Sequence, residues 1–255
     1  EPRRPGEAER RHLTVMFCDL VGSTALAARL DPEDMRTLIG AYHRCIAEVI
    51  GRYQGTIARY MGDGALVYFG FPQAHEDDAE QAVRAGLALV DAISKLPTNA
   101  NAALSARIGI ATGVTVVGDL TGEGAAQERA AIGETPNLAA RLQTLAEPGT
   151  VLICPNTRRL TGGYFDYRDI GPLTPKGWAE PVAVWEVVGV SGVESRFEAM
   201  HNAKLPPLFG REEEIDLLFR RWRHATQEEG RVVMLMGEPG IGKSHIARAF
   251  DEQLQ

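Results

Sequence analysis

Residues 12–22, HLTVMFCDLVG, are apolar almost without interruption until an Asp and a Gly, which predicts a buried strand. From 32 to 54 the spacing changes. Met35, Leu38, Ile39, Tyr42, Ile46, Val49, Ile50 and Tyr53 recur at helical intervals, with Asp31 placed to cap the helix and Pro32 suited to its first turn. Two short runs, TIARYM and ALVYFGF, flank Gly62-Asp63-Gly64, the signature of a tight hairpin. A second amphipathic helix is predicted over 75–96, its first turn loaded with acids as the helix dipole favours. Residues 104–120 read as a pair of strands with a Gly-marked bend, 134–149 as a helix closed by Pro-Gly, and TVLICP, YFDYRDIG and PVAVWEVVG as the last strands.

Strands and helices mix without a steady βαβ beat. The order predicts an α+β fold, an antiparallel-rich sheet with helices packed on one face. The chain divides into a tail at 1–11, a domain at 12–189, a polar linker at 190–207 ending in Pro206-Pro207, and a second element at 208–255. The last opens with an amphipathic helix, REEEIDLLFRRWRHA, followed by a predicted strand, RVVMLM.

Composition narrows the classes. The 255 residues are 44% hydrophobic and 24% charged, ordinary for a globular protein, with a net charge of −7. That charge argues against a nucleic-acid partner, because phosphate backbones attract basic surfaces. No apolar run approaches the roughly 20 residues that span a bilayer. The start, Glu1-Pro2-Arg3-Arg4-Pro5, lacks a signal-peptide core. Cys18, Cys45 and Cys154 form no CxxC pair, so free thiols and a cytoplasmic setting are expected.

Asp19 sits where a hydrophobic strand stops, and Asp63 at a hairpin tip. If the strands are neighbours, both carboxylates leave the same end of the sheet, where a hard divalent cation, Mg²⁺ or Mn²⁺, relieves their repulsion. The turn after Asp19, Leu20-Val21-Gly22-Ser23-Thr24, can offer backbone N–H groups to phosphate oxygens. The same residues also suit a helix cap at Asp19 and nothing more than a turn at Asp63. Asn137 and Arg141 stand four apart and share a helix face, equally compatible with a solvated polar pair.

FCDLVGST at 17–24, RYMGDGALVYFG at 59–70 and IGETPNLAAR at 132–141 together resemble, in order, the motifs of class III adenylyl/guanylyl cyclases. The resemblance covers about residues 12–188 and implies a ferredoxin-like class III cyclase fold. It further implies that Asp19, Asp63 and the carbonyl of Leu20 hold two divalent cations. Asn137 would orient the ribose, and Arg141 would neutralise charge on the α-phosphate. Lys176 lies where the family has a triphosphate-binding lysine, and Gly22, Ser23 and Thr24 line the phosphate turn. The family's adenine-reading positions are Arg59 and Ala130 here, a departure that predicts weak base selectivity because Ala130 offers no side-chain hydrogen bond. The implied reaction converts a nucleoside triphosphate, ATP first, into a 3′,5′-cyclic nucleotide and pyrophosphate, in a homodimer whose sites are shared between protomers. The alternative is a cyclase-like nucleotide-binding or dimerisation module that regulates an attached ATPase.

Near the end, GEPGIGKS matches the phosphate-binding loop pattern, with Gly237, Gly242, Lys243 and Ser244 in the defining places. With PLFGREEEIDLL upstream it resembles the entry to AAA-type ATPase domains. Eleven residues follow Ser244, too few for a second acidic metal-holding motif, so this P-loop fragment is expected to lack ATPase activity and to need the remainder of such a domain.

Overall fold

The computed structural model describes residues 9–98, 104–119, 129–174, 180–193, 208–227, 230–238 and 241–254. They fall into two units, Glu1–Met200 and His201–Gln255.

The first unit is built on one sheet. Its elements are β1 (Glu9–Leu20), α1 (Ser23–Ala27), α2 (Pro32–Arg52), β2 (Thr56–Met61), β3 (Gly64–Phe69), α3 (Asp78–Ser94), β4 (Ala106–Asp119), β5 (Arg129–Ile132), α4 (Glu134–Leu145), β6 (Thr150–Ile153), α5 (Pro155–Thr161), β7 (Phe165–Leu173) and β8 (Val182–Val190). The strand order is β2-β3-β1-β4-β6-β8-β7, with β5 paired to the far end of β4. Every described pairing is antiparallel except β4 with β6. This is the expected α+β, antiparallel-rich sheet.

Period-2 alternation on the central strands serves two cores, because both faces are covered. Met16, Cys18 and Leu20 of β1, with Ile108 and Ile110 of β4, pack against Tyr42, Ile46 and Val49 of α2 and Val83 and Leu89 of α3. Leu13 and Val15 of β1 and Ala111 of β4 pack instead with Leu138, Ala139 and Leu142 of α4. The expectation of helices on one face is therefore corrected: α4 occupies the opposite face from α2 and α3. Its amphipathic stripe needs an apolar surface, and the odd-numbered residues of β1 and β4 supply one.

Residues 104–120 were expected to bend into two strands, but β4 is one continuous strand of 14 residues. Its glycines mark close approach of α4 rather than a bend. A Cβ on Gly109 would lie 2.2 Å from the Gln143 nitrogen and 2.3 Å from the Ala139 carbonyl oxygen, and one on Gly113 would lie 2.5 Å from Thr135 Oγ1. α2 starts at Pro32 as expected, yet Asp31 makes no side-chain capping bond. The proline suits the first helical position, where its missing N–H would have had no intrahelical partner. β5 and α5 were not anticipated. Pro155 at the first turn of α5 was the available signal.

The second unit holds α6 (Glu212–Gln227) and α7 (Lys243–Leu254), joined through Ile215, Leu218 and Ile246. The strand expected at 231–236 is not formed. No strand lies beside it among the described residues of this unit, so its backbone has no ladder to join, and Val232 and Met234 stay exposed. Of the expected linker at 190–207, Val190 still belongs to β8 and residues 194–207 lie outside the described residues.

Candidate active site

β1 runs through the middle of the sheet, between β3 and β4, and ends on Asp19-Leu20. Asp19 faces Gly64, the first residue of β3, so the carboxylates of Asp19 and Asp63 leave the same end of adjacent strands. The turn is tied to β1 by a bond from the Leu20 N–H to the Asp63 carbonyl, 3.2 Å long. Gly62 takes the left-handed conformation (φ 66°) that this turn requires. On its outer side, His43 of α2 holds the Gly62 carbonyl at 3.0 Å and stacks on Tyr60 at 4.1 Å between ring centres.

The pair is electrostatically loaded. Asp19 is pushed above the ordinary carboxylate range first by burial and then by the charge of Asp63, while Arg107 and a bond from Gln143 pull it back down. Arg107 lies directly across from Asp19 on β4, and its Nε is buried with no hydrogen-bond partner among the described residues. Gln143 reaches down from α4, its Nε2 donating to Asp19 Oδ2 at 3.4 Å. Ser23 at the head of α1 donates its hydroxyl to Asp63. Two half-buried carboxylates at one end of adjacent strands, the charge of Asp63 adding to the burial that raises Asp19, suit a divalent cation, which would replace repulsion by attraction. Groups of three or more His, Cys, Asp or Glu side chains fit to hold a metal do not occur among the described residues. Backbone carbonyls and substrate phosphates would have to complete the coordination, as Mg²⁺ permits.

The remaining expected site residues separate. Gly22 adopts φ 70° at the entry to α1, and Thr24 is exposed in its first turn. Ser23 spends its hydroxyl on Asp63, and the neighbouring Val21 N–H bonds to the Ser105 carbonyl at 2.8 Å. Asn137 and Arg141 are exposed on α4, on the side away from Leu138, Ala139 and Leu142. Arg141 and Gln143 stand about 200° apart round the helix, so the residue reaching Asp19 and the residue offering a guanidinium face opposite ways. Arg59 is exposed on β2 just after a bulge, where Ile57 pairs with Val67 and Arg59 already with Leu66. The backbone of Ala130 pairs with Gly118. Lys176 lies outside the described residues. Gln143, Arg107 and His43 were not found from sequence. Gln143 carries no motif of its own, and its place becomes apparent only once α4 is docked over Gly109.

In the second unit, Gly242 takes φ 95° and α7 starts at Lys243-Ser244. Lys243 folds back on its own loop, donating to the carbonyls of Gly237 and Glu238, each at 2.8 Å.

Comparison with known proteins gives a consistent result. Residues 7–187 match the family model described as the adenylate and guanylate cyclase catalytic domain, and residues 207–255 match that of an AAA ATPase domain. An uncharacterized protein of Rhizobium meliloti (strain 1021) is 34% identical over 96% of this chain and 24% of its own length. Adenylate cyclase 1 of the same organism is 28% identical over 75% of this chain and 30% of its own length. The chain thus spans about a quarter to a third of these relatives. Among solved structures, the adenylyl cyclase CyaB from P. aeruginosa is 31% identical with a TM-score of 0.65, over 74% of this chain and 97% of that one. The guanylyl cyclase Cya2 is 32% identical with a TM-score of 0.65, over 73% and 96% respectively. No helix among the described residues is long and apolar enough to cross a membrane.

Proposed function

The chain belongs to the adenylate and guanylate cyclase catalytic-domain family, and from that premise we propose that it closes a nucleoside triphosphate into a 3′,5′-cyclic nucleotide with release of pyrophosphate. The single observation that carries the reading is the Asp19–Asp63 pair, two carboxylates at one end of adjacent strands, with Asp19 pushed up first by burial and then by the charge of Asp63. Asp19, Asp63 and the Leu20 carbonyl would hold two divalent ions. When bound, such a pair lowers the pKa of the 3′-hydroxyl and spreads the charge of the phosphates. The rest falls to the chain itself. Asn137 fixes the ribose so that the 3′-oxygen stands in line with the α-phosphorus and the bridging oxygen that leaves. Arg141 donates a permanently charged, bidentate pair of N–H groups to the α-phosphate oxygens as charge grows there. No covalent nucleophile is required, since phosphoryl transfer rests on position and electrostatics.

The site is shared between two copies of the chain. What supports this is the exposure of Asn137 and Arg141 on the flank of α4 opposite the one that touches Asp19. A helix that gives Gln143 to its own acidic pair gives its Asn–Arg face to a partner, and the same exchange in reverse completes a second site. Base choice is weak, because an arginine at position 59 suits either purine and an alanine at position 130 has no hydrogen-bonding group in its side chain. Residues 208–255 lead into an ATPase domain that would regulate the cyclase.

Incubation with ATP or GTP and Mn²⁺, with the product read by mass, tests this. Cyclic nucleotide from both bases, lost in Asp63→Ala with the unfolding transition retained, is the expected result. Linear diphosphate and no cyclic product would refute it.

A further inference from the structure

β4 carries Gly109 beside Phe17 of β1, two residues before Asp19, on the face that receives α4. The missing Cβ lets the α4 backbone between Ala139 and Gln143 lie directly on the strand. That docking fixes the Cα of Gln143 above the end of β1, and its amide then spans the remaining gap to Asp19 Oδ2, 3.4 Å away. Arg107 stands across from Asp19 on β4 and its charge favours the ionised carboxylate, while the bond from Gln143 reaches it from above. Ser23 holds Asp63 from the third direction.

We infer that Gln143 is a positioning residue for Asp19, donating its side-chain amide to the carboxylate so that the remaining lone pairs face the metal ions, and that through it α4 senses the occupancy of its own chain's metal site. This rests on the reading of Asp19 as a metal ligand. The consequence is a link between the two sites of the dimer. The helix that presents Asn137 and Arg141 to the partner's substrate is anchored on the carboxylate that binds metal in its own chain. Outer-sphere partners of this kind change metal affinity or activity by about 10- to 100-fold when removed. The bond here is long, so an effect at the lower end is expected.

The test is Mn²⁺ binding, followed by the loss of the free-ion electron paramagnetic resonance signal in the presence of a non-cyclising α,β-methylene analogue of ATP. Gln143→Met keeps the length of the side chain and removes the donor; Gln143→Ala removes both. Both variants should bind Mn²⁺ about tenfold more weakly than the parent, with the Met variant melting at the parent temperature. Cyclic product formation should show the same rise in half-saturating metal while the KM for nucleotide at saturating metal changes less than twofold. If Gln143→Met binds Mn²⁺ like the parent, Gln143 only packs and the inference fails. If the parent and Asp63→Ala bind Mn²⁺ alike, the acidic pair is not the metal site and the cyclase reading fails first.

Discussion

Replacing Gly109 with Ala adds one methyl group at the point where α4 meets β4, and the structure fixes what it meets. The new Cβ would stand 2.2 Å from the Gln143 nitrogen, 2.3 Å from the Ala139 oxygen and 2.8 Å from the Leu142 carbonyl carbon. All three are helix backbone, so no rotamer change relieves them, and α4 must withdraw by at least about 1 Å to reach ordinary contact. Overpacking of a tight interior costs about 1–3 kcal/mol, and a rigid obstacle argues for the upper end. For a domain of this size that is a fall in melting temperature of about 6–12 °C. The same shift carries Asn137 and Arg141 with it, and a displacement of about 1 Å at groups that position a substrate costs about 100-fold in rate. Scanning calorimetry and cyclic product formation under Mn²⁺ read the two effects separately. Gly86→Ala is the control. Its added methyl meets only side-chain tips, Ile110 Cδ1 and Val151 Cγ1 at 3.3 Å, on the other face of the sheet. There the gain in helix propensity, up to about 1 kcal/mol, offsets the tighter packing. A Gly109→Ala chain with unchanged melting and unchanged turnover would refute the docking of α4 on β4.

Arg141→Lys keeps the charge and loses the bidentate fork, so turnover should fall about 100-fold with little change in nucleotide KM, as steady-state kinetics would show. Cys18 is buried against the Tyr42 hydroxyl, and burial pushes its thiol from an ordinary 9.0 up to about 12. The native chain should leave Cys18 unmodified by iodoacetamide at pH 8, while denatured chain is labelled there, as peptide mass mapping would show. Because the fold retains that proton more tightly than the unfolded chain, stability is full below pH 9.0 and falls as pH rises towards about 12. Cys18→Ala should flatten part of that alkaline loss in urea titrations taken at successive pH values.

Much of this arrangement was legible in the sequence because it depends on local pattern. The apolar run into Asp19 and the Gly-Asp-Gly turn at 62–64 are one-strand and one-turn signals, and pairing β1 with β3 brings them together. The Asn137–Arg141 face follows from helical spacing alone. What stayed hidden depends on tertiary contact. Gly113 signals a bend in a single sequence, and only the docked helix shows that it admits Thr135. Gln143 lies 124 positions from Asp19 along the chain and belongs to no motif, so only the fold reveals their bond. Residues 231–236 have the composition of a strand, yet a strand needs neighbours, and local pattern cannot say whether they are present. The one-face arrangement failed for a related reason: alternation on β1 shows that two faces exist, not which helix covers each.

The shared site is tested most directly by mixing two disabled chains. Asp19→Ala removes the acidic ligand and Arg141→Ala the guanidinium, and each chain alone should make no cyclic nucleotide. Combined in equal amounts, half the dimers are mixed and each mixed dimer holds one complete site, so about a quarter of the parent activity should return. A mixture as silent as its two components would contradict a site assembled from the metal carboxylates of one protomer and the Asn–Arg helix of another.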